Sequence, residues 1–208
     1  MILRGVVAAA FPTLCPCGRP GDPVCASCGR TLRVAPNLPL PAGLDGWVAP
    51  FAYEGVVREV VARVKYRHVR ATLPWLGAAV ADAVGQGYAP GGFDAVTWAP
   101  TVPERRRRRG FDHAELLARE VAVALGLPFR PTLTRRPGPP QTGLPQAARR
   151  AGPELVARPP APARLLVVDD VATTGATLAA ASRALRSAGA RRIVAATAAR
   201  TPAHRRSA

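Results

Sequence analysis

In the stretch Arg164 to Leu178, RLLVVDDVATTGATL, two adjacent carboxylates, Asp169 and Asp170, stand directly before a turn of small and hydroxyl-bearing residues: Val171, Ala172, Thr173, Thr174, Gly175, Ala176 and Thr177. An ionised carboxylate only accepts hydrogen bonds. An adjacent pair therefore suits two neighbouring hydroxyls, such as the 2′ and 3′ hydroxyls of a ribose, or the oxygen shell of Mg²⁺. The turn suits an anion. A helix starting there aims its first amides into the turn, Gly175 has no Cβ to hold a ligand away, and the threonine hydroxyls add donors. A phosphate monoester fits such a loop. A strand that merely ends in solvated acids, with Thr174 capping the next helix, accounts for the residues singly but not for their order.

Two elements must hold this loop. Leu165 to Val168 is an apolar, partly β-branched run too short for a helix, as expected of a strand covered on both faces. Leu178, Ala181, Ser182 and Leu185 recur at helical spacing behind the turn. The same order occurs upstream. A strand over Asp94 to Ala99 leads into Pro100-Thr101-Val102-Pro103, then the run Arg105 to Arg109, then Gly110-Phe111-Asp112-His113. A helix is predicted from there, with Asp112 as its N-cap and Leu117, Val121, Ala124 and Leu125 on its buried face. Here cations replace acids. Arg105 to Arg108 read as a solvated loop, whereas Arg109, fixed beside Gly110 and the helix start, is placed for a pyrophosphate that a guanidinium fork matches. Ligands of such sheets sit at the carboxyl ends of the strands, so the two loops are expected side by side on that edge of a right-handed α/β sheet.

All four cysteines fall early, as Cys15-Pro-Cys17 and Cys25-Ala-Ser-Cys28 around a loop rich in glycine and proline. Two close thiol pairs can place four ligands around Zn²⁺, and structural zinc folds a knuckle that has almost no core. The first pair is one residue shorter than the usual spacing, and a disulfide or a metal-free remnant stays open beside zinc. Residues 31–46 read as a linker. Trp47 to Tyr53 reads as a strand. Val57, Val60, Val61 and Val64 form one face of a helix over Gly55 to Tyr66, with Lys65, Arg67 and His68 as cations suited to its C-terminal dipole. A helix over Leu73 to Val84, a strand over Phe129 to Leu133 and a last buried strand over Arg192 to Thr197 complete the pattern. The proline-rich segment 135–163, with Arg135, Arg136, Gln141, Arg149 and Arg150, is long and irregular enough for a lid or a disordered loop.

The chain of 208 residues has room for one α/β domain and a small appendage. Its formal charge of +16 points to an anionic partner. Every cation but Lys65 is an arginine and alanine is abundant, as coding bias would produce, so charge alone is weak support for a polyanion. No stretch is long and apolar enough to span a bilayer. The apolar N-terminus lacks a clear cleavage site, and we expect a cytoplasmic protein.

The stretch VVDDVATTGAT resembles the phosphoribosyl-pyrophosphate (PRPP) motif of type I phosphoribosyltransferases. Nearly the whole chain resembles the ComF family of competence-associated and GntX-like proteins. The matching features are the cysteine knuckle, Tyr53-Glu54-Gly55, Lys65-Tyr66, Arg109-Gly110-Phe111-Asp112, Gln141 and Val168 to Thr177. The resemblance implies a type I phosphoribosyltransferase-like parallel sheet flanked by helices over residues 47–200. It also implies an N-terminal helix, a zinc-ribbon-like knuckle and a linker over 1–46, and a basic tail over 201–208. It implies that Asp169 and Asp170 contact ribose, Thr173 to Thr177 the 5′-phosphate, and Pro100-Thr101 the pyrophosphate. The resemblance implies PRPP as ligand. Asp169, Asp170 and Arg109 would then serve transfer of the phosphoribosyl group, with Mg²⁺ on the leaving group and Zn²⁺ on Cys15, Cys17, Cys25 and Cys28. A binding module that holds PRPP or a nucleotide, and contacts single-stranded DNA or a DNA-processing partner through its arginines, is the alternative. This sequence departs from the family at His113, where an amide is more usual, and lacks the asparagine expected near Arg149 and Arg150. Thr173 stands where purine-salvage enzymes carry an acid, which disfavours hypoxanthine-guanine salvage.

Overall fold

The computed structural model describes residues 13–67, 69–136 and 152–202. His68, Gln141, Arg149 and Arg150, and the middle of the expected lid, lie outside the described residues.

Strand periodicity decides the layers. Along the central strand, Leu165 and Val167 join one apolar cluster and Leu166 and Val168 the other, all fully buried. Alternate side chains point to opposite faces, so a strand buried on both must be apolar at every position. In chain order the elements are α1 (Ala26–Gly29), β1 (Gly46–Val48), β2 (Phe51–Ala52), α2 (Gly55–Arg67) and α3 (Leu73–Gly87). There follow β3 (Ala95–Trp98), α4 (Pro103–Arg109), α5 (His113–Leu125), β4 (Leu133–Arg135) and β5 (Leu155–Ala157). The chain closes with β6 (Arg164–Ala172), α6 (Ala176–Ser187) and β7 (Arg192–Arg200). The main sheet runs β1-β7-β6-β3, with β2 also on β7, and every pairing is parallel. Helices α2, α3 and α5 cover one face; α6 and the antiparallel hairpin β4–β5 cover the other.

Several elements differ from the reading of the sequence. Trp47 to Tyr53 is two short strands, because the chain breaks at Ala49-Pro50, and proline donates nothing to a ladder. Strand β6 does not stop before the acids but carries Asp169 and Asp170 on to Ala172, still paired with β7. Arg105 to Arg108 lie on a helix and not in a loop. Pro103 starts α4, Glu104 sits in its first turn, arginines fill its last turn, and Gly110 at φ +73 ends it in the left-handed conformation. Phe129 makes a single parallel bridge to Val96, and the strand proper comes later, at Leu133.

The segment 31–46 is stitched to the body. Leu44 is buried among Leu165, Leu178 and Ile193, the Asp45 carboxylate accepts from the Ile193 amide at 2.6 Å, and Arg186 donates to the Gly43 carbonyl at 3.1 Å. The knuckle is docked as well. Arg63 of α2, held by Glu59 at 3.0 Å, donates to the carbonyls of Leu14 at 2.8 Å and Pro16 at 3.4 Å.

Within the knuckle the four sulfurs lie within 4.8 Å of one another, and Cys17 Sγ and Cys25 Sγ are 3.7 Å apart. A zinc tetrahedron with bonds near 2.3 Å has edges of about 3.8 Å, so the shortened first pair still fits. Burial opposes ionisation of Cys15, but the amides of Cys25 and Cys17 and the side chains of Cys28 and Cys17 together outweigh it and bring the thiol down to about 6. That neighbour pushes Cys28 up to about 12, a proton a metal would displace.

Asp112 ties the second loop together. Only 3% exposed, it caps α5 by accepting from the Ala114 amide at 3.1 Å. Its other oxygen accepts from the Thr101 amide at 2.8 Å and the Trp98 indole at 3.3 Å. Asp112→Ala should destabilise the protein by about 2–4 kcal/mol, since it removes a cap and leaves buried donors unpaired. A parental denaturation midpoint in this variant would show the clamp to be dispensable. For the knuckle we expect about one equivalent of zinc in purified protein, as a four-ligand site holds. Chelation should lower the thermal midpoint, and Cys25→Ser should abolish retention of the metal. Free thiols with a midpoint indifferent to chelator would leave the cluster a remnant.

Candidate functional site

The two acids face opposite ways. By the alternation of β6, Asp170 follows Leu166 and Val168 onto the face covered by α2, α3 and α5, while Asp169 follows Leu165 and Val167 onto the face of α6 and the hairpin. Asp170 enters a pocket walled by Val61, Val64, Leu76 and Leu117. A carboxylate among such side chains needs compensation. Lys65 Nζ stands 2.5 Å and His113 Nε2 2.7 Å from the same Asp170 oxygen, with all three side chains at most 15% exposed. The other oxygen accepts from the Val171 amide at 2.6 Å. Despite the cost of burial, Lys65 and His113 hold the Asp170 carboxyl well below the usual carboxylate range. Lys65 is in turn held above its ordinary value by Asp170, again against burial.

Asp169 behaves differently. Burial first, and the Asp170 charge second, push its carboxyl up to about 7, although one oxygen accepts from the Asp170 amide at 2.8 Å. One acid is thus fixed as an anion and the other is poised to exchange a proton near neutrality.

The upstream loop reaches the same place. Arg109 Nη1 lies 3.2 Å from His113 Nδ1. A guanidinium only donates, so Nδ1 accepts and Nε2 carries the hydrogen directed at Asp170. Arg109 also lies over the Tyr66 ring, 5.1 Å from its centroid. Arg109, His113, Asp170 and Lys65 therefore form one connected array at the carboxyl ends of β3 and β6. Pro100 and Thr101 lie on this edge too, held by Asp112.

On the other side, Thr174 Oγ1 accepts from the Ala176 amide at 3.3 Å, and Gly175 is the residue that caps α6. Helix geometry gives the next amides, those of Thr177 and Leu178, no partner inside the helix. Gly175 is required for two reasons that do not involve a ligand. Its φ is +72, and a Cβ there would come within 2.4 Å of Pro41 Cγ. The segment after the knuckle thus closes against the phosphate-type loop.

Three side chains at the site escaped the sequence reading of their roles. Lys65 read as a helix-end cation, though its being the lone lysine among arginines was a usable signal: a compact ammonium fits a buried partner that a fork does not. His113 read as a departure from a family pattern. Arg135 read as part of an irregular segment, yet it ends strand β4 and donates to the Pro100 carbonyl at 3.4 Å.

No curated protein matches the chain. Solved structures with partial similarity include one described as the allosteric regulatory enzyme of purine biosynthesis, at 26% identity and a TM-score of 0.42, covering 62% of this chain and 26% of that one. The glutamine PRPP amidotransferase of B. subtilis complexed with ADP and GMP gives 26% identity and a TM-score of 0.41, over 61% of this chain and 26% of that one. The purine phosphoribosyltransferase of Pyrococcus horikoshii Ot3 gives 19% and 0.40, over 62% and 75%. The chain spans about a quarter of the length of the first two. Residues 108–207, which hold Arg109, Asp112, His113 and the whole of Asp169 to Thr177, match the phosphoribosyl transferase domain.

Proposed function

We propose that the protein binds PRPP at the carboxyl edge of β3 and β6 and transfers its phosphoribosyl group to an acceptor, releasing pyrophosphate. The observation that carries this reading is the sorted acid pair beside a helix-capping loop: a fixed anion at Asp170, a proton-exchanging carboxyl at Asp169 and free amides at the start of α6. In the reaction the bond from C1 to the pyrophosphate oxygen breaks and its electron pair leaves with the pyrophosphate. An acceptor lone pair forms the new bond to C1. Positive charge builds on the sugar ring and negative charge on the leaving group. Asp169 would accept from a ribose hydroxyl and lie against the cationic ring. Arg109, preoriented by His113 and Tyr66, would donate to the departing oxygens. Thr173 to Thr177 would hold the 5′-phosphate, and Pro100 and Thr101 would border the pyrophosphate.

Asp169 with substrate phosphates is the kind of set that holds Mg²⁺, whereas the inward oxygen of Asp170 is already engaged by Lys65 and His113. When bound, Mg²⁺ supplies charge neutralisation to the pyrophosphate. In finer terms we place the protein with the ComF family, as a cytoplasmic protein with its knuckle over 1–46, its catalytic domain over 47–200 and a basic tail over 201–208. The ordered cysteine cluster supports that placement.

A second reading, a competence-type module that binds single-stranded DNA, draws on α4, which presents Arg106, Arg107 and Arg108 as exposed side chains on a helix beside the site. Pairing of Arg107 with Glu104 at 3.2 Å and Arg106 with Glu115 at 3.8 Å offsets part of that charge. DNA binding through this face should weaken steeply with salt, and replacing Arg106 to Arg108 with glutamine should flatten the log–log slope. Negligible affinity for single-stranded DNA even in low salt would remove this reading.

Proton exchange at Asp169 tests the main one. A carboxyl raised to about 7 must lose its proton to accept from a hydroxyl, so PRPP affinity should rise with pH from 6 to 8. Stability of the ligand-free protein should run the opposite way. Between the ordinary carboxylate range and about 7 the folded state holds a proton the unfolded state has lost, so stability falls as pH rises through that window. Asp169→Asn should remove both dependences and weaken PRPP binding by about one to two decades at pH 8. Calorimetric affinities equal to the parent's at every pH would exclude Asp169 from the site. A PRPP-dependent pyrophosphate-release assay across candidate acceptors then decides between transfer and binding alone.

A further inference from the structure

The cysteine cluster is unevenly covered. Cys15 and Cys25 are buried, Cys28 is half-buried, and Cys17 is exposed. The exposed Cys17 Sγ lies 3.7 Å from the buried Cys25 Sγ, while Cys15 Sγ accepts from the Cys25 amide at 3.3 Å. A sulfur that solvent reaches, with a second one directly behind it, oxidises to a disulfide before it can reach the irreversible acids.

Whatever moves Cys17 also moves the carbonyls that Arg63 holds. The Gly18 amide donates to the Cys15 carbonyl at 2.8 Å, the Cys15 amide donates to the Arg19 carbonyl at 2.9 Å, and Leu14 bridges Pro20. Pro16 stands between Cys15 and Cys17. Its carbonyl accepts from Arg63 at 3.4 Å, and that of Leu14 accepts at 2.8 Å. Cys25 is anchored separately, as the N-cap residue of α1 whose carbonyl accepts from the Gly29 amide at 2.8 Å. Closing the two sulfurs to a bond of about 2 Å therefore draws the Cys17 turn inward by roughly an ångström or more. The contact from Arg63 to Pro16 is already near the limit of roughly 3.5 Å at which a hydrogen bond fades. Two residues beyond Arg63, Lys65 Nζ stands 2.5 Å from Asp170.

We propose that Cys17 and Cys25 form a peroxide-sensitive pair whose disulfide loosens Arg63 from the knuckle and, through α2, weakens ligand binding in the cleft. The Cys17 thiolate attacks one oxygen of hydrogen peroxide, the O–O bond breaks, and hydroxide leaves to give a sulfenic acid. The Cys25 thiolate then attacks the Cys17 sulfur and expels a second hydroxide. The two sulfurs lose two electrons in all, and the two peroxide oxygens gain them. A thiol reductant reverses the change. The pair needs no bound metal, although its oxidation removes two of the four ligands that would hold one. The ligand in the cleft rests on the phosphoribosyl reading; the disulfide and its effect on α2 do not.

The test treats the full chain with hydrogen peroxide and maps disulfides by non-reducing peptide mass spectrometry. Amide exchange of α2 and calorimetric PRPP affinity are followed before oxidation, after it, and after dithiothreitol. We expect a Cys17–Cys25 bridge, α2 amides that exchange at least about fivefold faster and PRPP bound at least about fivefold more weakly, all restored by the reductant. Cys17→Ser should form no bridge and show no response to peroxide. Arg63→Gln should still form the bridge, with α2 exchange and PRPP affinity the same before and after. No bridge, a bridge at another pair of cysteines, or a Cys17–Cys25 bridge that leaves α2 exchange or PRPP affinity unchanged would overturn the proposal. A response in Arg63→Gln as large as the parent's would overturn it too, since the route runs through that side chain. If neither redox state binds PRPP while α2 exchange responds, the phosphoribosyl reading fails and the redox pair stands.

Discussion

A carboxylate cannot rest among Val61, Val64 and Leu117 unless positive charge goes in with it. Ionised groups lose most of their hydration there, and only close, well-directed partners offset that loss. Asp170 is in that position, and much of the cleft follows from how it is met. Lys65 comes from the end of α2, His113 from the start of α5, and Arg109 stands behind His113 at the end of α4. Three helices are thus oriented by one side chain at the end of one strand. Removing either partner of this carboxylate would leave its buried charge short of a donor, which costs more than the pair contributes when intact.

The same arrangement divides labour between the acids. Adjacent carboxylates in one cleft would otherwise raise each other. Lys65 and His113 break that symmetry, because they stand on one face of β6 and Asp169 lies on the other. Asp170 then acts as a fixed negative charge that orients its partners, and burial together with that charge raises the Asp169 carboxyl to about 7. Strand periodicity, and not a difference in residue type, makes two identical side chains unlike.

Much of this could be read from the sequence, for definite reasons. Leu165 to Val168 and Ile193 to Ala196 are apolar at every position, a pattern that a doubly covered strand explains, and Asp112 before Ala114 and Leu117 is a cap with its helix attached. The order of the acid pair and TTGAT points to a ligand loop, and the structure adds packing constraints that the order does not show: Gly175 faces Pro41, and Asp170 meets Lys65 and His113. Other features depend on contacts distant in sequence. Lys65 is 105 positions from Asp170, and no local pattern distinguishes a helix-end cation that meets solvent from one that meets a buried acid. The arginine run misled for a local reason: five like charges suggest a solvated loop, whereas Pro103, Glu104 and Gly110 frame a helix whose dipole favours those charges at its end. Arg135 was hidden in a segment whose prolines outweighed the short β pattern of Leu133 to Arg135, which exists only because Leu155 to Ala157 returns to pair with it.

The knuckle and the cleft are mechanically continuous. Arg63 grips the carbonyls of Leu14 and Pro16 on one side of α2, and two residues on, Lys65 reaches Asp170 on the other. After the knuckle, the chain lays Pro41 against Gly175 and binds Asp45 and Gly43 to α6 and β7. The segment ahead of the first strand of the sheet therefore touches both halves of the site: the acid pair through α2, and the loop that starts α6 through Pro41. A metal that orders the cysteines would tighten both contacts at once, because a four-residue helix and a handful of turns have no core of their own to hold Leu14 and Pro16 in place for Arg63. On these grounds the cysteine knuckle belongs to the architecture of the cleft and is more than an appendage beside it.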